Sequence, residues 1–167
     1  MQTDDRSFER ITPDDLTRLA RLSLGDLARF FARRPETGAL YQDRLLALCL
    51  CQGAADHYVS GKCGVKDFDV WAFFRAHPLR QFPPRRIGHS NFGPSKFGRH
   101  PNDEGYTGRR IDIIGRSIAT EGNEDPIDAI RRYLKQRRTV SATLLASRPV
   151  IAIHPPERVG ELVLKCP

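Results

Sequence analysis

Two hydrophobic periods alternate along the chain, and the change-overs mark its elements. From residue 13 to 34 apolar side chains recur at helical intervals: Leu16, Leu19 and Leu22, then Leu24, Leu27 and Phe30 or Phe31. Pro35 closes that segment, and residues 38 to 45 leave room for one more helical turn. "LLALCLCQ" is short, apolar and followed by Gly53, the pattern of a buried strand. "GAADHYVSGKCG" reads as a loop or a short helix. The stretch "GVKDFDVWAFF" then switches to a period of two. Lys66, Phe68, Val70, Ala72 and Phe74 fall on one face, and Val65, Asp67, Asp69, Trp71 and Phe73 on the other.

Residues 76 to 108 follow neither period. Pro78, Pro83, Pro84, Pro94 and Pro101 are interleaved there with glycines, which predicts a long irregular connection. "GRRIDIIGRSI" resumes the strand pattern. In "EDPIDAIRRYL" Asp125 is placed as an N-cap and Pro126 at the first helical position, with Ile127, Ile130 and Leu134 on one face. A second short helix, "VSATLLAS", leads into "PVIAI" and "ELVLK", which read as a hairpin across "HPPERVG". No internal repeat interrupts this order. The mixture predicts one α+β domain over residues 1–167, with 1–38 as an N-terminal helical extension and 39–167 as an α/β core.

Composition narrows the setting. No apolar run approaches the roughly 18 residues that span a bilayer, and "MQTDDRSFER" carries no apolar signal core. The expectation is a cytoplasmic protein without a membrane partner. Cys49 and Cys51 share a strand face and read as small hydrophobes, because the four cysteines form no CxxC pair. The net charge of +7 comes mostly from arginine, which suits polyanions. In the irregular stretch Arg80, Arg85, Arg86, Lys96 and Arg99 lie among Phe82, Phe92, Phe97 and Tyr106. Such interleaving fits a nucleotide or a nucleic-acid strand, and equally a surface loop packed by its own aromatics.

The chemistry concentrates in the aspartates. Strands seldom contain Asp, whose short charged side chain competes for backbone hydrogen bonds. Asp67 and Asp69 point the same way, with Cα atoms about 7 Å apart. Asp112 shares its face with Arg110 and Ile114, so it joins them if its strand lies alongside. Three carboxylates on one face repel strongly unless a cation sits among them, and oxygen-only donors favour Mg2+ or Mn2+. The plainer alternative is a solvated strand end with Asp112 paired to Arg109 or Arg110. Hydrolytic motifs are missing: no HExxH joins any of His57, His77, His89, His100 and His154, and no serine sits in a GxSxG elbow. A nuclease built on an acid-x-Lys dyad would need a lysine that "RIDIIGR" lacks.

"CLCQGA", "DFDV" and "RIDII" stand in an order that resembles the nucleotidyltransferase superfamily, which includes DNA polymerase beta, the antibiotic adenylyltransferases and the small toxin–antitoxin nucleotidyltransferases. The resemblance covers about residues 40 to 116. It implies a nucleotidyltransferase-like mixed β-sheet flanked by helices, and a metal-dependent transfer of a nucleoside monophosphate from an NTP to an acceptor. That acceptor would be RNA, a protein hydroxyl or a small molecule. By the same resemblance Asp67, Asp69 and Asp112 would hold Mg2+ or Mn2+, with Asp112 also helping to activate the attacking hydroxyl. Gly53, Ala54, Lys66 and Arg110 would meet the nucleotide. Ala54 departs from the usual Ser or Gly and removes a hydroxyl from the phosphate site, for which Ser60-Gly61 is the nearest substitute. The same departure is what a second reading predicts: a fold whose chemistry is lost and whose basic face binds nucleic acid or a protein partner.

Overall fold

A computed structural model describes residues 5–83 and 86–165. Helix α1 (Pro13–Arg33) starts where Thr12 and Asp15 form a reciprocal capping box ahead of Pro13. Its Leu16, Leu19, Leu27 and Phe30 are buried, as the helical spacing requires. Pro35 does more than end this helix: it occupies the first turn of α2 (Pro35–Tyr41). Strand β1 (Leu45–Cys51) runs directly into α3 (Gln52–Ser60), so the uncertain "GAADHYVS" is helical. Then come β2 (Phe68–Arg75), β3 (Arg86–Asn91) and β4 (Arg110–Ile118). Helices α4 (Pro126–Gln136) and α5 (Val140–Leu145) precede β5 (Val150–His154) and β6 (Leu162–Leu164). Asp125 caps α4 through bonds from the Ile127 and Asp128 N–H groups, as its sequence predicts.

The six strands form one mixed sheet in the order β3-β4-β2-β1-β5-β6. β2 and β4 are parallel neighbours, and every other adjacent pair is antiparallel. The fold is therefore α+β, with a mixed sheet flanked by helices on both faces. On one face Leu48, Leu50, Phe68, Val70 and Ile113 pack with α1 and α3. On the other Cys49, Trp71, Phe73 and Ala152 pack with α4 and α5. β5 and β6 form the expected antiparallel pair. No helix among the described residues is long and apolar enough to cross a membrane.

The stretch from 76 to 108 corrects the expectation of an irregular connection, since β3 runs through it and pairs along β4. Its strand character is hard to read because Gly88, Ser90 and Asn91 dilute the apolar pattern. Its aromatics are core residues. Phe82 stacks on Phe74 with ring centroids 4.5 Å apart and planes 8° apart, while Phe92 and Phe97 pack around Phe68. Gly115 admits this arrangement, because a Cβ there would meet the Phe82 ring at 2.3 Å. With Phe82, Phe92 and Phe97 buried, these rings are not surfaces for stacking bases. Arg85 of the expected basic set lies outside the described residues.

Candidate active site at one end of the sheet

The strand registers build the site. His89 of β3 pairs with Asp112 of β4, Asp112 with Asp69 of β2, and Asp69 with Cys51 of β1. One transverse row thus crosses four strands, with neighbours about 4.8 Å apart along the hydrogen-bonding direction. At its far end the chain turns through Gln52, at a left-handed φ of 59°, into α3. Asp69 and Asp112 are therefore held side by side by the backbone ladder. Asp67 stands just before β2 rather than within it, since the strand opens at Phe68.

Local structure explains how Asp67 reaches the row. Val65 makes a two-bond bridge with Ser7, and Gly64 takes a φ of 70° immediately before it. A Cβ on Gly64 would lie 2.9 Å from the Arg6 Cβ, so only glycine suits both the turn and the space. The Gly64 N–H donates to His57 Nδ1 at 3.0 Å, and His57 Nε2 donates to the Glu9 carbonyl at 3.0 Å. His57, the histidine nearest the glycine motif, is thus a buried tie between α3, the amino-terminal arm and the segment leading to Asp67. Arg109, also buried, donates to the carbonyls of Phe97, Asp5 and Lys66 and fixes the same segment from the other side.

The site's charges are unevenly satisfied. Asp112 is almost fully buried, accepting from His89 Nδ1 at 2.5 Å and from Arg110 Nη2 at 3.2 Å. Arg110 also lies 3.5 Å from Asp67 and 3.5 Å from Asp103. Burial works against the Arg110 charge, yet Asp112, Asp103 and Asp67 together hold its pKa above the ordinary value. Asp69 has no ion pair or side-chain hydrogen bond among the described residues. Burial, and then the Asp67 and Asp112 carboxylates, push its pKa up to about 6 against the weaker pull of Arg86 and Arg110.

The expected phosphate end is arranged differently from its acids. Cys51 caps α3 without a side-chain bond, leaving the first-turn N–H groups of Gln52, Gly53 and Ala54 without helical partners. The Ala54 side chain is buried in the core beneath α3. A Cβ on Gly53 would lie 3.4 Å from an Arg148 guanidinium nitrogen and 3.9 Å from one of Arg6. Lys66 is exposed just ahead of Asp67. Ser60 ends α3 and Gly61 is its C-cap, at the opposite end of the helix from Gly53; they are no substitute for the missing hydroxyl. His89, Asp103, Arg6 and Arg148 were not legible as site residues, because tertiary pairing alone brings them here.

The carboxylates suit a hard divalent cation in kind: three oxygen donors at one sheet end, one with a proton affinity raised by burial and then by the other two. Among the described residues no three His, Cys, Asp or Glu side chains already converge as a metal cage. The Arg110 guanidinium lies on Asp67 and Asp112 instead. The chain matches no family model, no curated protein and no solved structure.

Proposed function

We propose that this protein is a metal-dependent nucleotidyltransferase that moves a nucleoside monophosphate from an NTP to an acceptor hydroxyl. One observation carries the reading. Asp69 and Asp112 are register partners on adjacent parallel strands, and the row they form ends at the turn through Gln52 into α3, whose first N–H groups have no helical partners. Carboxylates for a cation and amides for phosphate thus share one end of the sheet.

In this reading Asp67, Asp69 and Asp112 hold Mg2+ or Mn2+. The metal, when bound, neutralises the triphosphate and stabilises the entering and leaving oxygens. The N–H groups of Gly53 and Ala54 bind phosphate oxygens at the positive end of α3, with Arg6 and Arg148 beside them. The acceptor oxygen bonds to the α-phosphorus, the bond to the bridging oxygen breaks, and pyrophosphate leaves. Asp112 orients the acceptor hydroxyl and takes its proton, its carboxylate held in place by the bond it accepts from His89. RNA, a protein hydroxyl and a small molecule all offer such an acceptor.

Thermal unfolding with each NTP, with and without Mg2+ or Mn2+, tests the reading in wild type and Asp69→Asn. A metal–NTP pair should raise the wild-type transition temperature and leave the variant's unchanged. Label transfer from the stabilising NTP then identifies the acceptor. A variant that responds as strongly as wild type would remove Asp69 from the site. If neither protein responds, the second reading stands: a fold without the chemistry, binding nucleic acid or a protein partner.

A further inference from the structure

Arg110 occupies ground that a metal would need. Its Nη2 reaches Asp112 at 3.2 Å and Asp67 at 3.5 Å, and its Nη1 reaches Asp103 at 3.5 Å. These separations lie at or beyond the long end of the hydrogen-bond range, and no carboxylate takes the paired fork that makes such contacts strong. Its Nε is buried without a hydrogen-bond partner among the described residues. The guanidinium is therefore held more by the summed charge of three aspartates than by directional bonds. Asp69, the fourth carboxylate, is left without an ion pair among the described residues.

We propose that Arg110 is a resident counter-ion that competes with the divalent cation for Asp67 and Asp112, so that metal and nucleotide enter the site as one unit. The inference rests on the nucleotidyltransferase reading and adds an order of binding to it. A cation seeking more than Asp69 must take a carboxylate from Arg110. That exchange leaves the guanidinium with fewer anionic partners, Asp103 chief among those remaining, a cost that opposes binding of metal alone. A polyphosphate arriving with the metal offers the released guanidinium an anionic partner near the turn where Arg6 and Arg148 already stand beside Gly53. Coupling follows because each ligand removes the penalty of binding the other. His89 adds to it from the opposite side, since its bond to Asp112 also draws that carboxylate away from a metal.

The test is Mn2+ binding to the full chain, read as loss of the free-ion electron paramagnetic resonance signal, with and without a non-hydrolysable NTP analogue. Wild type should bind Mn2+ weakly alone and on the order of tenfold tighter with the analogue. Arg110→Gln should bind Mn2+ alone on the order of tenfold tighter than wild type, with most of the nucleotide's enhancement gone. Arg110→Lys, which keeps the charge, should retain the wild-type pattern. An Arg110→Gln affinity for Mn2+ equal to or below wild type overturns the proposal. So does a failure of both Arg110→Gln and Arg110→Met to fold, because a tie the chain cannot release is no exchangeable counter-ion. If Mn2+ binding depends on Asp69 but ignores Arg110, only this inference falls. If no Mn2+ binds in any condition, the nucleotidyltransferase reading falls with it.

Discussion

Two rows cross the same strands on the same face of the sheet, two residues apart. One is His89–Asp112–Asp69–Cys51, and the next sets Ile114 beside Trp71 and Trp71 beside Cys49. The second row is ordinary core: Trp71 and Cys49 are buried under α4 and α5, with Ile114 packed against them. The first places two neighbouring carboxylates where the fold could equally have used Val or Ile. Backbone geometry is shared, so the difference lies in side-chain chemistry alone. A row that folding does not require and electrostatics opposes is the place to look for function.

Three substitutions sharpen that contrast. Trp71→Ala should cost about 3–5 kcal/mol of unfolding free energy, because it empties a well-packed site, and chemical denaturation measures the loss. Asp69→Asn should act in the opposite direction at neutral pH. The folded-state pKa of Asp69 is about 6, above the ordinary carboxylate value near 4. Its ionisation therefore opposes folding, and the penalty appears as pH rises from about 4 to about 6. In chelator the variant should exceed wild type by up to about 2 kcal/mol at pH 7, and the gain should shrink towards zero near pH 4. A pH-independent difference would show that Asp69 is not the strained group. Arg148→Ala should be the mildest, shifting stability by less than about 0.5 kcal/mol. Yet it should weaken binding of the metal–NTP complex about tenfold in a titration, as loss of a charge-assisted contact would. A weaker fold with unchanged binding would put Arg148 among the structural residues.

The same contrast explains what the sequence discloses. The alternation in β2 shows because one face must be apolar, so Asp69 stands out against Phe68 and Val70. The capping residues Asp125 and Pro126 show because capping is local. Neither the sheet order nor the pairing of His89 with Asp112 is local. β3 is joined to β4 through a turn-rich segment whose hydrophobic residues serve the opposite face, so its basic and aromatic residues resemble a binding loop until Phe82, Phe92 and Phe97 are seen to be core. Asp112 is placed beside Asp69 only if the two strands are assumed adjacent. Arg110 and Asp67 are legible as charges, but their mutual approach depends on how Gly64, His57 and Arg109 set the path into β2.

The transverse row also sets a clock. Asp69 and Asp112 sit on two central strands, with β1 and β3 paired outside them, and no loop carries either carboxylate. Their relative placement is thus renewed only when the sheet itself opens, on the slow timescale of cooperative unfolding rather than that of loop motion. The first-turn amides of α3 are braced as well, because they follow directly on Cys51 of the same row and Ala54 is buried against the sheet. Both halves of the site therefore keep their relative placement for as long as the protein stays folded.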